Sequence, residues 1–352
     1  MIEVKDISNW QPLPHMNSGG TRNKKIVEDP NGDLYFFKES FNNGKGKFYP
    51  FEFYSEVIAS FIGKQIGLNV LQYDIAVFGD KIGCLSKSMI SKNEELIEGG
   101  KYLKAFDNTF IISNENPKEK YTFQLIVAAL DKFNLLDQAK DHLLDLIIFD
   151  ALIGNSDRHQ ENWGFIAENT DSSSAIDEIQ NVTKGNANSN IPKWIAKILQ
   201  SKMFKNDQVQ NELVKRKLKL DRKVSFSPIY DSGCCLGREL TEQTIINYIV
   251  NPIEIEKYAS KGSAEIHWDG ITKKLSHFAL INKLVEDNSQ INQRVIDLIS
   301  KIDISSLKDF IENIDKNIPS KFNEWKLTNS RKEFIVKLIT LRKEKLVQTV
   351  NG

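Results

Sequence analysis

Hydrophobic and polar positions alternate early in the chain. Residues 25–28 and 33–38 flank Asp29-Pro30-Asn31-Gly32. Asn-Gly between two strand-like runs is a strong hairpin signal, because tight hairpin turns need left-handed backbone that these residues adopt readily. The second run, Leu34-Tyr35-Phe36-Phe37, is aromatic and β-prone. After a Gly/Asn-rich loop at 42–46 the period lengthens. Phe53, Val57, Phe61 and Ile62 recur at helical spacing, so a helix is predicted over about 51–65, with Gly67 as its stop. A second hairpin is predicted over 72–78 and 82–90, turning at Gly79-Asp80. Residues 10–25 read as a loop. The first ~90 residues thus form a small strand-rich unit with one helix.

From about residue 93 the pattern becomes helical, with clear segments at 122–129 and 139–153. Residues 168–191 are rich in Asn, Ser and Asp and read as a loop or disordered segment. Residues 192–223 read as one or two basic helices, with ten Lys/Arg against three Asp/Glu. A solvated helix face and a docking surface for an acidic partner explain that charge about equally well. A short apolar strand at 226–230 ends at Asp231-Ser232-Gly233, and amphipathic helix returns over 277–347. There is no internal repeat.

With 352 residues and 40% hydrophobic content, the chain can bury one large core or two lobes. Its 47 basic and 47 acidic residues balance, which gives no reason to expect nucleic acid or an anionic membrane as the main partner. The three cysteines, Cys84, Cys234 and Cys235, include no C-x-x-C pair. A disulfide framework or zinc site is not expected, and a reducing compartment fits. The first residues lack a signal-peptide pattern, and no apolar run is long enough to span a membrane. The expectation is a soluble, cytoplasmic protein.

The polar residues between these elements suit phosphoryl transfer from ATP. That chemistry needs a loop that approaches the phosphates, a lysine held by a carboxylate, two oxygen ligands for magnesium, and a carboxylate to orient the attacking hydroxyl. Ser18-Gly19-Gly20-Thr21 is the candidate phosphate loop, since paired glycines let backbone N–H groups reach an anion. Most Gly-Gly pairs are simple loops. Lys38 closes the second hairpin strand on the same face as Leu34 and Phe36, although strand-end lysines more often snorkel to water. Glu56 on the following helix and Glu52, one turn away on the same face, are its candidate partners. The sharpest feature is Asp157-Arg158-His159-Gln160-Glu161-Asn162 behind a long apolar helix. Asp157 can accept from the attacking hydroxyl, and Asn162 can offer its carbonyl oxygen to Mg²⁺. The plainer alternative is a polar loop capping the next turn. Asp231, at a strand end before a turn-permitting Gly233, is the second candidate metal ligand. A metal hydrolase built on Asp157, His159 and Asp231 fails for want of further residues at ligand spacing.

Three segments resemble the HipA-like family of bacterial serine/threonine kinases. They are Leu34-Tyr35-Phe36-Phe37-Lys38, the helix from Glu56 to Gly67-Leu68-Asn69-Val70, and Phe149-Asp150-Ala151-Leu152-Ile153-Gly154-Asn155-Ser156-Asp157-Arg158-His159 through Asn162, followed by Pro228-Ile229-Tyr230-Asp231. The resemblance implies an α+β, bilobal, protein-kinase-like fold. Its small β-rich N-lobe would span 1–91 and its larger helical C-lobe 92–352, with an insertion at 168–223. It implies Asp157 as the catalytic carboxylate, Asn162 and Asp231 as Mg²⁺ ligands, and Lys38 as an ATP ligand steadied by Glu56. Met89, Ile90 and His159 complete the expected cofactor-binding set, His159 more as a brace for the loop backbone than as a chemical group. Ser18 could itself accept a phosphate, though an ordinary turn serine is the commoner case. The family implies a protein Ser/Thr substrate such as a translation factor, and in some members a toxin role with a small antitoxin-like partner. The Asp-Arg-His-x-x-Asn loop is also similar to that of phosphoinositide kinases, so a lipid or small-molecule kinase is the alternative, and a nucleotide-binding module without catalysis a further one. One departure from the family stands out: Asp231 lies 74 residues beyond Asp157, farther than the family usually allows.

Overall fold

The computed structural model describes residues 3–14, 24–40, 42, 48–112, 118–168 and 223–351. The fold mixes α and β. Its described residues divide into two compact units, one holding those up to residue 89 with 98–164 and 226–351, the other 90–97, 165–168 and 223–225.

In the first unit, strands β1 (Val4–Asp6), β2 (Gln11–Pro12), β3 (Lys24–Glu28), β4 (Leu34–Glu39), β5 (Asp74–Phe78) and β6 (Lys81–Lys87) form one sheet in the order β1-β5-β6-β4-β3-β2. Both predicted hairpins are present. β3 pairs antiparallel with β4 around the Asp29–Gly32 turn, where Gly32 takes φ +83°, and β5 pairs antiparallel with β6. Residues 10–25 are less loop-like than the sequence implied, since Gln11 and Pro12 pair with β3 at the sheet edge. β1 runs parallel to β5, a pairing between distant segments that local pattern does not announce.

The alternation along β4 sorts its side chains. Phe37 joins Ile7, Val27, Ala76 and Leu85 in a buried cluster. Lys38, one residue on, faces the other way. Helix α1 (Glu52–Gln65) contacts β5 and β6 and is buried along most of its length. Gly63 lets Val70 pack against this helix, because a Cβ there would meet Val70 Cγ1 at 2.4 Å.

Helices α2 (Gly99–Phe106), α3 (Phe123–Lys132) and α4 (Leu136–Ile153) follow. Thr122 caps α3 by accepting from Leu125 N–H. α4 ends at Gly154, whose φ of +75° makes the left-handed stop that precedes the Asp157 loop. The later helices are α5 (Glu242–Val250), α6 (Pro252–Lys261), α7 (His277–Asp287), α8 (Gln290–Ser300), α9 (Ile304–Asn313) and α10 (Asn329–Asn351). α10 packs against α4 to α9 and contributes buried Phe334, Leu338, Ile339 and Leu346.

A three-stranded sheet in the order β7 (Glu94–Glu98), β8 (Gly164–Glu168), β9 (Val224–Phe226) belongs largely to the second unit. The helical pattern expected from residue 93 misses β7. The apolar run at 226–230 is strand only at its start, and Ile229 then makes a parallel bridge to Val70. Among the described residues no helix is long and apolar enough to cross a membrane.

Candidate active site

Lys38, from β4, lies 5% exposed and pairs with two carboxylates. Its Nζ donates to Glu56 Oε1 and, at 2.6 Å, to Asp231 Oδ1. The Glu52 rival is engaged elsewhere, with Arg238. Both glutamates are fully buried rather than solvated. A buried carboxylate pair around one ammonium costs desolvation that Coulomb attraction offsets only in good geometry. Such a cluster is a weak stabiliser and a good holder of a cationic group for an anion. The same Glu56 also accepts from Ser232 N–H at 2.8 Å, so α1 fixes the Asp231 segment as well as the lysine.

Asp231 itself adopts φ +54°, a left-handed conformation that Asp tolerates at a cost of about 1 kcal/mol. The sequence assigned the turning role to Gly233, but Gly233 is not left-handed. It is glycine for space, since a Cβ there would meet Glu56 Oε1 at 3.0 Å and Glu52 Oε1 at 3.3 Å.

The Asp157 loop is held from beneath by a buried ion pair that sequence reading left unassigned. Arg158, 2% exposed, donates from Nε and Nη2 to Asp150 Oδ2 and Oδ1, each at 2.9 Å. Its Nη1 donates to the carbonyls of Asn162 and Tyr230, and Nη2 also reaches Ser232 Oγ at 3.1 Å. One guanidinium therefore joins the loop carrying Asp157 to the segment carrying Asp231. Burial alone would lower its pKa, but the Asp150 carboxylate outweighs burial and raises it. Asn155 adds an amide donor to Asp150 Oδ1 at 3.0 Å, and its Oδ1 accepts from Asp157 N–H at 3.4 Å.

Asp157 is half-buried and accepts at Oδ2 from the Cys234 thiol, 3.0 Å away. Cys234 is buried, and its thiol touches this carboxylate. Asn162 spends its amide N–H on Asp157 O at 2.7 Å. That orientation leaves its carbonyl oxygen as the atom it can offer a cation. A carboxylate oxygen on Asp231 and a carboxamide oxygen on Asn162 are the donor types Mg²⁺ takes from protein, its remaining positions going to phosphates and water. The residues therefore fit Mg-ATP.

His159 is half-buried, and its Nδ1 accepts from Glu161 N–H at 3.3 Å, bracing the loop. Met89 is half-buried just beyond β6, and Ile90 lies in the second unit. Ser18, Gly19, Gly20 and Thr21 lie outside the described residues, as do 192–222 of the basic stretch. On the far side of the loop, Gly99 and Gly100 of α2 donate to Trp163 O and Gln160 O at 2.8 and 2.7 Å. Ser156, Cys234, Leu236, Arg238, Tyr258 and Lys261 line a cavity of about 440 Å³ beside Asp157.

Over nearly its whole length the chain is similar to a bacterial serine/threonine-protein kinase. Over 342 residues it is 19% identical to the serine/threonine-protein kinase CtkA of Helicobacter pylori, spanning 96% of this chain and 85% of that protein. The crystal structure of the H. pylori proinflammatory kinase CtkA superposes with a TM-score of 0.70 at 18% identity, covering 99% of this chain and 96% of that one. That likeness establishes a shared fold. HipA of Shewanella oneidensis, solved with HipB and operator DNA, overlays at a TM-score of only 0.43 and 11% identity, covering 96% of this chain and 64% of that one, which is too remote to carry an argument. No family model matches the chain.

Proposed function

We propose that this chain is an ATP- and Mg²⁺-dependent protein serine/threonine kinase. The observation that carries the reading is Lys38, 193 residues from Asp231 in sequence and 2.6 Å from it in space, clasped at the same time by Glu56. In this reading Lys38 holds the α- and β-phosphates, and Glu56 keeps the ammonium in place. Asn162 and Asp231 hold Mg²⁺, which when bound neutralises charge on the phosphates. Asp157 accepts a hydrogen bond from the substrate hydroxyl and directs its oxygen at the γ-phosphorus. The new O–P bond forms as the bridge to the β-phosphate breaks, and the hydroxyl proton passes to Asp157. Cys234 steadies the other side of that carboxylate. Ser18, Gly19, Gly20 and Thr21 are the candidate phosphate loop by sequence, and Met89, Ile90 and His159 the further candidate nucleotide-binding residues. Residues 1–91 make the smaller lobe and 92–352 the larger, with 168–223 inserted. The substrate is a protein with Ser or Thr, a translation factor being the expected kind, and a small antitoxin-like protein is the expected regulator.

The test incubates the protein with labelled ATP, Mg²⁺, cell lysate and extracted lipid, beside Asp157→Asn. Label should enter protein and vanish in the variant. Label confined to lipid would replace this reading with a lipid kinase, and nucleotide binding with no transfer would replace it with a non-catalytic module.

A further inference from the structure

We infer that His277 and Arg342, from two helices far along the chain from the catalytic loop, act as a positioning pair that sets the backbone of residues 155–157. The inference rests on the kinase reading, because the group positioned is Asp157.

Arg342 sits on α10, 2% exposed. Among the described residues no carboxylate pairs with it. Its Nε instead donates to Ala151 O at 2.8 Å and its Nη1 to Ala259 O. These carbonyls belong to the last turns of α4 and α6, whose negative dipole ends converge on the guanidinium and supply its counter-charge. The remaining nitrogen, Nη2, donates to His277 Nδ1 at 3.1 Å. A guanidinium can only donate, so Nδ1 must be the acceptor and the imidazole proton sits on Nε2. Nε2–H then points at Asn155 O, 2.7 Å away. Burial, and then the Arg342 charge, push the imidazole pKa down to about 3, which keeps this neutral tautomer in place.

The receiving residue is the one that shapes the loop. Asn155 is 1% exposed, and its side chain both donates to Asp150 and accepts from Asp157 N–H. Moving its carbonyl therefore moves Asp157. The surroundings leave little slack. A Cβ on Gly262 would lie 2.9 Å from His277 Nδ1, and one on Gly154 would lie 3.4 Å from Arg342 Nε. An apolar ring in place of the imidazole would fill the space but leave the buried Asn155 carbonyl without this donor.

His277→Phe and His277→Gln separate positioning from packing. Displacing a reacting group by about 1 Å costs on the order of 100-fold, so His277→Phe should lower kcat by about 10- to 100-fold while KM for ATP stays within about twofold. His277→Gln can still present an amide N–H to Asn155 O and should recover to within about fivefold of wild type. Rates are expressed per nucleotide-binding site, titrated with Mg-ATP, so that a loss of folded protein does not count as a loss of rate. An unchanged kcat in His277→Phe, or a His277→Gln as slow as His277→Phe, overturns the inference. Should His277→Phe not fold, Arg342→Lys decides. It keeps a cation at the two helix ends but loses the fork that fixes the imidazole, and it should lose kcat several-fold; unchanged kcat again overturns the inference. A wild type that transfers no phosphate defeats the kinase reading itself. An active wild type with an indifferent His277 defeats only this step.

Discussion

Asp150→Asn tests whether the buried Asp150–Arg158 pair is what holds the Asp157 loop. Asp150 is 4% exposed, and its two oxygens accept three hydrogen bonds, two from Arg158 and one from Asn155. The amide keeps the shape but removes the charge and turns one acceptor into a donor facing an N–H. Arg158 would remain a buried cation without its carboxylate. Removing one partner of such a pair costs about 3–5 kcal/mol, whereas replacing both by apolar residues of similar volume is often near neutral. At about 2.1 cal/mol/K per residue, unfolding this chain carries roughly 0.7 kcal/mol/K of entropy, so the melting temperature should fall by about 4–7 °C. Asp150→Leu with Arg158→Met should recover much of that loss. Differential scanning calorimetry on the three proteins is the assay. An Asp150→Asn melting within about 1 °C of wild type, or a double variant no more stable than the single one, refutes the reasoning.

Two further outcomes are expected. Gly233→Ala puts a methyl 3.0 Å from Glu56 Oε1 without backbone strain, so it should displace Glu56 from Lys38 and weaken Mg-ATP binding several-fold by calorimetric titration; unchanged affinity would mean Glu56 does not steady the lysine. His277 has a folded pKa near 3 against 6.5 for the ordinary side chain, so below pH 6.5 the unfolded chain takes up a proton the folded chain refuses. Its stabilising effect is complete above that pH and drains as pH falls toward 3, by about 2 kcal/mol at pH 5. His277→Gln should lack that part of the slope in urea unfolding, and parallel curves for the two proteins would contradict it.

Much of this site was legible because its parts are local. The Asn31-Gly32 turn, the β4 alternation that ends on Lys38, and the apolar α4 stopped by Gly154 each follow from short-range pattern. The Asp157–Asn162 spacing then points to the candidate chemistry. The resemblance implies Glu56 as the partner of Lys38, and the structure makes that pair. Other features escaped because their cause lies elsewhere in the chain. β1 is three residues whose strand character depends on β5, about 70 residues later. Gly233 reads as a turn glycine until Glu56 is seen against it. Cys234 reads as a core residue until Asp157 is found at its thiol. Arg158 sits inside the motif, yet its task is set by Asp150, Tyr230 and Ser232 together.

Local pattern therefore specifies both hairpins, helices α1, α3 and α4, the helical character beyond residue 277, and the residue types able to handle a phosphate and a metal, because turn geometry and side-chain periodicity act over a few residues. Only the tertiary structure decided which charges meet. Lys38 and Asp231 come together across 193 residues, and His277 reaches Asn155 across 122. Burial makes those meetings matter, since a charge or carbonyl removed from water must find its partner wherever the fold brings one.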